Sequence, residues 1–142
     1  MAKDNRNVLV TGGAGYIGSH AVRALRAAGY SPVILDNFST GHREFVSDFP
    51  LVEGSVGDVS VIRRAVAEYK ISAVMHFASF INVGDSVHAP AEYYRNNVAE
   101  GVSLIAALKG CGVRRFILSS TCAVYGAVEG VRALTESDKI AP

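Results

Sequence analysis

Three glycines and one acid carry the most chemical information in this chain. Gly12, Gly15 and Gly18 stand three apart in the run Thr11-Gly12-Gly13-Ala14-Gly15-Tyr16-Ile17-Gly18. An apolar stretch, Val8-Leu9-Val10, precedes the run, and a helical pattern follows it. Gly12 suits a sharp turn, Gly15 lets backbone approach a pyrophosphate, and Gly18 lets the helix pack close to a sheet. The helix start then offers free N–H groups and the positive end of its dipole to phosphates. Asp36 lies 18 residues beyond Gly18, near the ~20 at which such turns place a ribose-binding acid. A carboxylate there accepts hydrogen bonds from ribose hydroxyls and repels a 2′-phosphate, which favours NAD over NADP. Arg43, nearby in sequence, works in the opposite direction.

The elements that must position these residues follow from short apolar runs alternating with longer helical patterns. Strands are expected at Val8 to Thr11, Val33 to Leu35, from Leu51, at Ala73 to Met75 and at Phe116 to Leu118. The first helix should turn Ile17, Ala21, Ala24, Leu25 and Ala28 inward and stop at Gly29. Asp58 is a good N-cap for a second helix with Ile62, Ala65, Val66 and Tyr69 on its apolar side. After a long loop from Phe80 to Pro90, with room for a short helix, a helix from about Ala91 to Lys109 should face Val98, Val102, Ile105 and Ala106 inward. The tail from Gly126 reads as loop. Unalternating apolar strands between helices imply a parallel sheet covered on both faces. With right-handed crossovers this is an α/β, doubly wound Rossmann arrangement of strand order 3-2-1-4-5. Ligands bind such sheets at the carboxyl ends of the strands, and the informative residues here follow strand ends.

Composition narrows the classes. The 142 residues fit one domain, and 49% hydrophobic against 19% charged residues is a globular balance. A net charge of +1 gives no footprint for nucleic acid or an acidic membrane. The polar start, Met1 to Asn7, lacks the apolar core of a leader, so a cytoplasmic location is the expectation. Cys111 and Cys122 form no CxxC pair and read as free thiols. His20, His42 and His88 have no metal spacing, so no metal is expected. Ser119 and Ser120 have no His or acid placed to activate them, and His76 reads as a structural imidazole.

Several stretches together resemble the UDP-glucose 4-epimerases of the extended short-chain dehydrogenase/reductase family. They are Val8 to His20, Leu35-Asp36-Asn37, His76-Phe77-Ala78, Val83-Gly84-Asp85-Ser86-Val87, Tyr93-Tyr94-Arg95-Asn96-Asn97-Val98 and Ser119-Ser120-Thr121-Cys122-Ala123-Val124-Tyr125-Gly126. The glycine turn is common to the whole extended family, whereas the last two runs are more specific to the 4-epimerases. The resemblance implies that Tyr16 and Ile17 contact the pyrophosphate through backbone. It implies that Asp36, Asn37, Phe38, Ser39, Thr40 and Gly41 wrap the adenosine ribose. Val56 would sit against the adenine, and Phe77, Ala78 and Ser79 would line the nicotinamide side. Asn96 would hold loop and cofactor from the long helix. Thr121 would orient the sugar 4-hydroxyl beside a catalytic tyrosine, as the chain's own contribution to catalysis. The implied reaction interconverts UDP-glucose and UDP-galactose, in galactose metabolism, by passing hydride to NAD and back. A homodimer of the full-length parent is a further implication.

The chain also departs from the family pattern. The family's Tyr-x-x-x-Lys pair and substrate domain are missing from residues 1–142: Tyr125 matches the Val-Tyr-Gly tyrosine, and Glu129 stands four residues on. The expectation is a front portion of the NAD-binding domain, truncated after about five strands. It should be inactive alone and prone to self-association along an open sheet edge. Ser55 replaces the Asp usual before the adenine-contacting position, Ser79 replaces a Gly or Ala, and Ile81 falls where some members have Lys. Two other readings stand beside this one. The first is another NAD-dependent nucleotide-sugar epimerase or dehydratase, although Cys122-Ala123 stand where a dehydratase needs Asp-Glu. The second is a non-catalytic dinucleotide-binding module.

Overall fold

Five short apolar segments become the strands of one parallel sheet: β1 (Asn7–Thr11), β2 (Ser31–Asp36), β3 (Leu51–Glu53), β4 (Ala73–His76) and β5 (Arg115–Leu118). The structure is a computed structural model and describes residues 5–127, 130 and 132–142. Residues Met1 to Asp4 and the position of Glu129 lie outside them. The strand order is β3-β2-β1-β4-β5, as the sequence pattern predicts. In register, Leu9 stands between Val33 and Val74, and Leu35 is paired with Val52.

Alternation along the strands splits the core in two. Leu9, Val33, Leu35, Val52 and Val74 meet the helices α2 (Val59–Tyr69) and α5 (Glu100–Gly110) through Ile62, Ala65, Val66, Leu104 and Leu108. Val8, Val10 and Ile34 point to the other face, where they meet Val22 of α1 (Tyr16–Ala27), Val46 and Phe49. Asp58 caps α2 as expected, its carboxylate accepting from the Ser60 and Val61 amides at 2.8 and 3.3 Å. The long loop holds the short helices α3 (Val83–His88) and α4 (Pro90–Tyr93). A π-helical turn, Tyr94–Ala99, joins α4 to α5.

Two helix faces differ from the expected ones. On α1, Ile17, Ala24 and Ala28 are exposed and Ala21 and Leu25 half-buried; the buried face is Gly18, Ser19 and Val22. Besides Val22, contact with the sheet is made by Gly18 and Ser19, residues with little side chain that an apolar pattern overlooks. On the long helix, Val98, Val102, Ile105 and Ala106 are exposed, and Leu104, Ala107 and Leu108 are buried. This helix is apolar on nearly every side, so its pattern does not select a face. Packing against α2 and the sheet selects one.

Candidate functional site

The turn after β1 is built by close approach. Gly12 has φ +69°, and a Cβ there would lie 2.6 Å from the Ala78 amide nitrogen, so the turn passes directly under the chain leaving β4. A Cβ on Gly18 would lie 2.1 Å from the Gly12 carbonyl oxygen. The Gly12 amide donates to the Leu35 carbonyl at 2.9 Å, tying the turn to β2. No side chain caps the start of α1, and its first turn carries no acid. Its first amides therefore keep their positive end for an anion.

Asp36 is buried and binds the turn to the loop that follows β2. One carboxylate oxygen accepts from the Ala14 amide at 2.9 Å and the other from the Phe38 amide at 2.8 Å. The His42 amide donates to the Ala14 carbonyl at 2.9 Å, closing the loop over the turn. Phe38 sits at φ +56°, in the left-handed region that phenylalanine seldom enters. Its Asp36 hydrogen bond and the Arg43 guanidinium, 4.0 Å over its ring, hold it there. Arg43 also pairs with Glu53, so this cation is already engaged by two partners. A carboxylate has about four acceptor positions, and the Ala14 and Phe38 amides use two of those on Asp36.

These parts border a cleft at the carboxyl ends of the strands. Gly12, Gly15, Asp36, Asn37, Ser39 and Thr40 line one side, and Val56, Phe77, Ala78 and Asn96 line another. Other expected site residues lie beside the cleft. Tyr16 and Ile17 are exposed on the first turn of α1, Gly18 is buried beneath it, and Gly41 packs on Ala14 and Asp36. Phe38 lies under Arg43, and Ser79 is half-buried in the chain after β4. Thr121 is exposed just past β5, where its hydroxyl oxygen accepts from the Ala123 amide at 3.2 Å and caps the short helix Cys122–Tyr125.

Loop holding falls to Asn97, the neighbour of the expected Asn96. Asn97 accepts from the Phe80 amide and donates to the Phe80 carbonyl, both at 2.9 Å, while Asn96 donates to Asn97 Oδ1 at 2.8 Å. The Asn96-Asn97 doublet was the available signal, but the widened turn that assigns the two roles is not visible in sequence. Leu35, Gly54, Phe80 and Glu100 also line the cleft and were not foreseen. His76 is buried at the end of β4 and joined to the Thr11 hydroxyl at 2.6 Å. Burial holds its pKa below the ordinary imidazole value, which fits a structural, neutral ring. Among the described residues, no group of three or more His, Cys, Asp or Glu is placed to hold a metal ion, and no helix is long and apolar enough to cross a membrane.

A cleft with a glycine floor, an uncapped helix start and a buried carboxylate fits the pyrophosphate and ribose of a dinucleotide. Comparison with known proteins points the same way. The chain is 46% identical to the UDP-glucose 4-epimerase of Rhizobium meliloti (strain 1021) over 138 residues, covering 97% of this chain and 42% of that protein. It is 48% identical to the one from Rhizobium leguminosarum bv. trifolii, covering 87% of this chain and 38% of that protein. The crystal structure of UDP-glucose 4-epimerase from Brucella ovis in complex with NAD superposes with a TM-score of 0.88 at 43% identity, covering 96% of this chain and 42% of that one. The chain thus spans only 36% to 42% of the length of the first curated relatives it matches. Residues 8–142 match the model of the family described as NAD dependent epimerase/dehydratase, and the chain belongs to that family.

Proposed function

We propose that this chain is the front portion of the NAD-binding domain of a UDP-glucose 4-epimerase, which interconverts UDP-glucose and UDP-galactose in galactose metabolism. One observation carries the cofactor reading: the buried Asp36 carboxylate couples the glycine turn to the loop after β2 at the edge of the cleft. The relatives' names and the NAD complexes among the structural neighbours support the rest. NAD, when bound, supplies a hydride acceptor. The chain's own residues bind and orient it. With NAD bound, the amides of Tyr16 and Ile17 would face the pyrophosphate, Asp36 would take the ribose, and Phe77 and Ala78 would border the nicotinamide side. Thr121 is our assignment for the sugar hydroxyl, since its oxygen accepts from the Ala123 amide and its proton is donated to none of the described residues. Two free thiols fit a reducing cytoplasm. The exposed apolar residues Tyr94, Val98, Val102 and Ile105 support pairing of two copies through the long helix.

Calorimetric titration of the chain with NAD and with NADP tests the cofactor reading. Saturable binding is expected, with NAD preferred by at least about tenfold, because a 2′-phosphate would meet the Asp36 carboxylate and no uncommitted cation at Arg43. Absence of binding by a folded chain, or preference for NADP, overturns it.

A further inference from the structure

We infer that Glu100 supplies the hydrogen-bond acceptor that selects adenine over 6-oxopurines at the far end of the cleft. This rests on the cofactor reading above and adds to it a residue from outside the glycine turn. Beyond Asp36 the cleft wall passes to Gly54, Ser55 and Val56, the segment after β3, and across from them comes Glu100 at the start of α5. Val56 is buried and apolar, a surface for the face of a base. A base amino group also needs an acceptor, since burying it unpaired costs binding. Ser55 is a poor one here because its hydroxyl is committed. It accepts from the Gly57 amide at 3.1 Å and donates to Glu100 Oε2 at 2.5 Å.

Two observations fix the Glu100 side chain. Besides the Ser55 bond, it lies across bare backbone at Gly57, where a Cβ would come within 2.8 Å of Glu100 Cγ. A side chain at 57 would push the carboxylate away. Oε2 is thus anchored, and Oε1 receives no hydrogen bond from the described residues. A half-buried carboxylate with one oxygen anchored and one open accepts from the 6-amino group of adenine. Against the 6-carbonyl of hypoxanthine or guanine it sets acceptor against acceptor, which is unfavourable. The Asp usual at position 55 is therefore replaced in function by a carboxylate arriving from a helix 45 residues further along.

The test uses calorimetry on the chain and its Glu100→Gln and Glu100→Ala variants, with two ligands: NAD and nicotinamide hypoxanthine dinucleotide, which differ only in the base, a 6-amino group beside a bare N1 in the one and a 6-carbonyl beside an N1–H in the other. The unaltered chain should prefer NAD by roughly tenfold or more, the range of a hydrogen bond to a charged group. In Glu100→Ala the NAD affinity should fall about tenfold while the hypoxanthine analogue is unchanged or binds better. In the isosteric Glu100→Gln, whose amide can donate to a 6-carbonyl, the preference should shrink further or invert. Equal loss of both ligands, no loss, or tighter NAD binding by Glu100→Ala overturns the inference while leaving the cofactor site standing. Failure of the unaltered chain to bind NAD overturns both.

Discussion

At the scale of single residues, His76 carries a pH dependence with a defined sign. Its ring is buried against Thr11 and Phe116, and burial lowers its folded pKa below the ordinary 6.5. The unfolded chain takes up a proton near 6.5, but the folded chain resists until lower pH. The folded state is therefore at full stability above that value and loses stability as pH falls through it toward the lowered one. Urea denaturation between about pH 7.5 and about pH 5 should show this slope, and His76→Asn, which can still bond the Thr11 hydroxyl, should flatten it. An unchanged slope in the variant would remove His76 as its source. The same scale shows what a sequence can and cannot reveal. Asp36 was legible because its distance from the glycine turn is set by one helix and one strand. Glu100 was not, because only the crossover through α2 and β4 brings it opposite Ser55, and nothing local marks a helical glutamate as facing a cleft.

At the scale of elements, the strands, their order and the capped α2 were legible, because buried parallel strands are short apolar runs and Asp58 sits where a cap must. The faces of α1 and α5 were not. Gly18 and Ser19 make the α1 contact through lack of bulk, and α5 offers apolar residues in every direction. The α5 correction has a direct mutational test. Leu104 is fully buried and Val102 is 62% exposed. Leu104→Ala should destabilise the chain by about 2–5 kcal/mol through lost burial and a cavity. Val102→Ala should stay within about 0.5 kcal/mol. Reversal of these two in urea denaturation would restore the face expected from sequence. Gly18→Ala tests the α1 contact: its methyl group meets the Gly12 carbonyl, and overpacking of this kind costs about 1–3 kcal/mol. Because the same turn lines the cleft, NAD binding should weaken along with stability.

At the scale of the whole molecule, two of the apolar surfaces left uncovered among the described residues bear on self-association. One is the long-helix stripe Tyr94, Val98, Val102 and Ile105, and the other is the edge strand β5 with Ile117 and Leu118. A net charge of +1 provides little repulsion between copies, so the chain should self-associate as concentration rises. The two surfaces differ in how well they suit pairing. β5 is four residues long and begins beside the adjacent cations Arg114 and Arg115, and charge on a short edge discourages strand addition. The helix stripe recurs at three- and four-residue spacing over three turns, the pattern by which one helix packs on another. Sedimentation velocity over a concentration series separates them. Val102→Glu, a charge in the middle of the stripe, should leave mainly monomer, whereas Ile117→Lys should leave association nearly unchanged. Both positions are exposed, so neither change removes core packing. The opposite result would place the contact on the sheet edge, in which case the long helix would be free to meet some other partner.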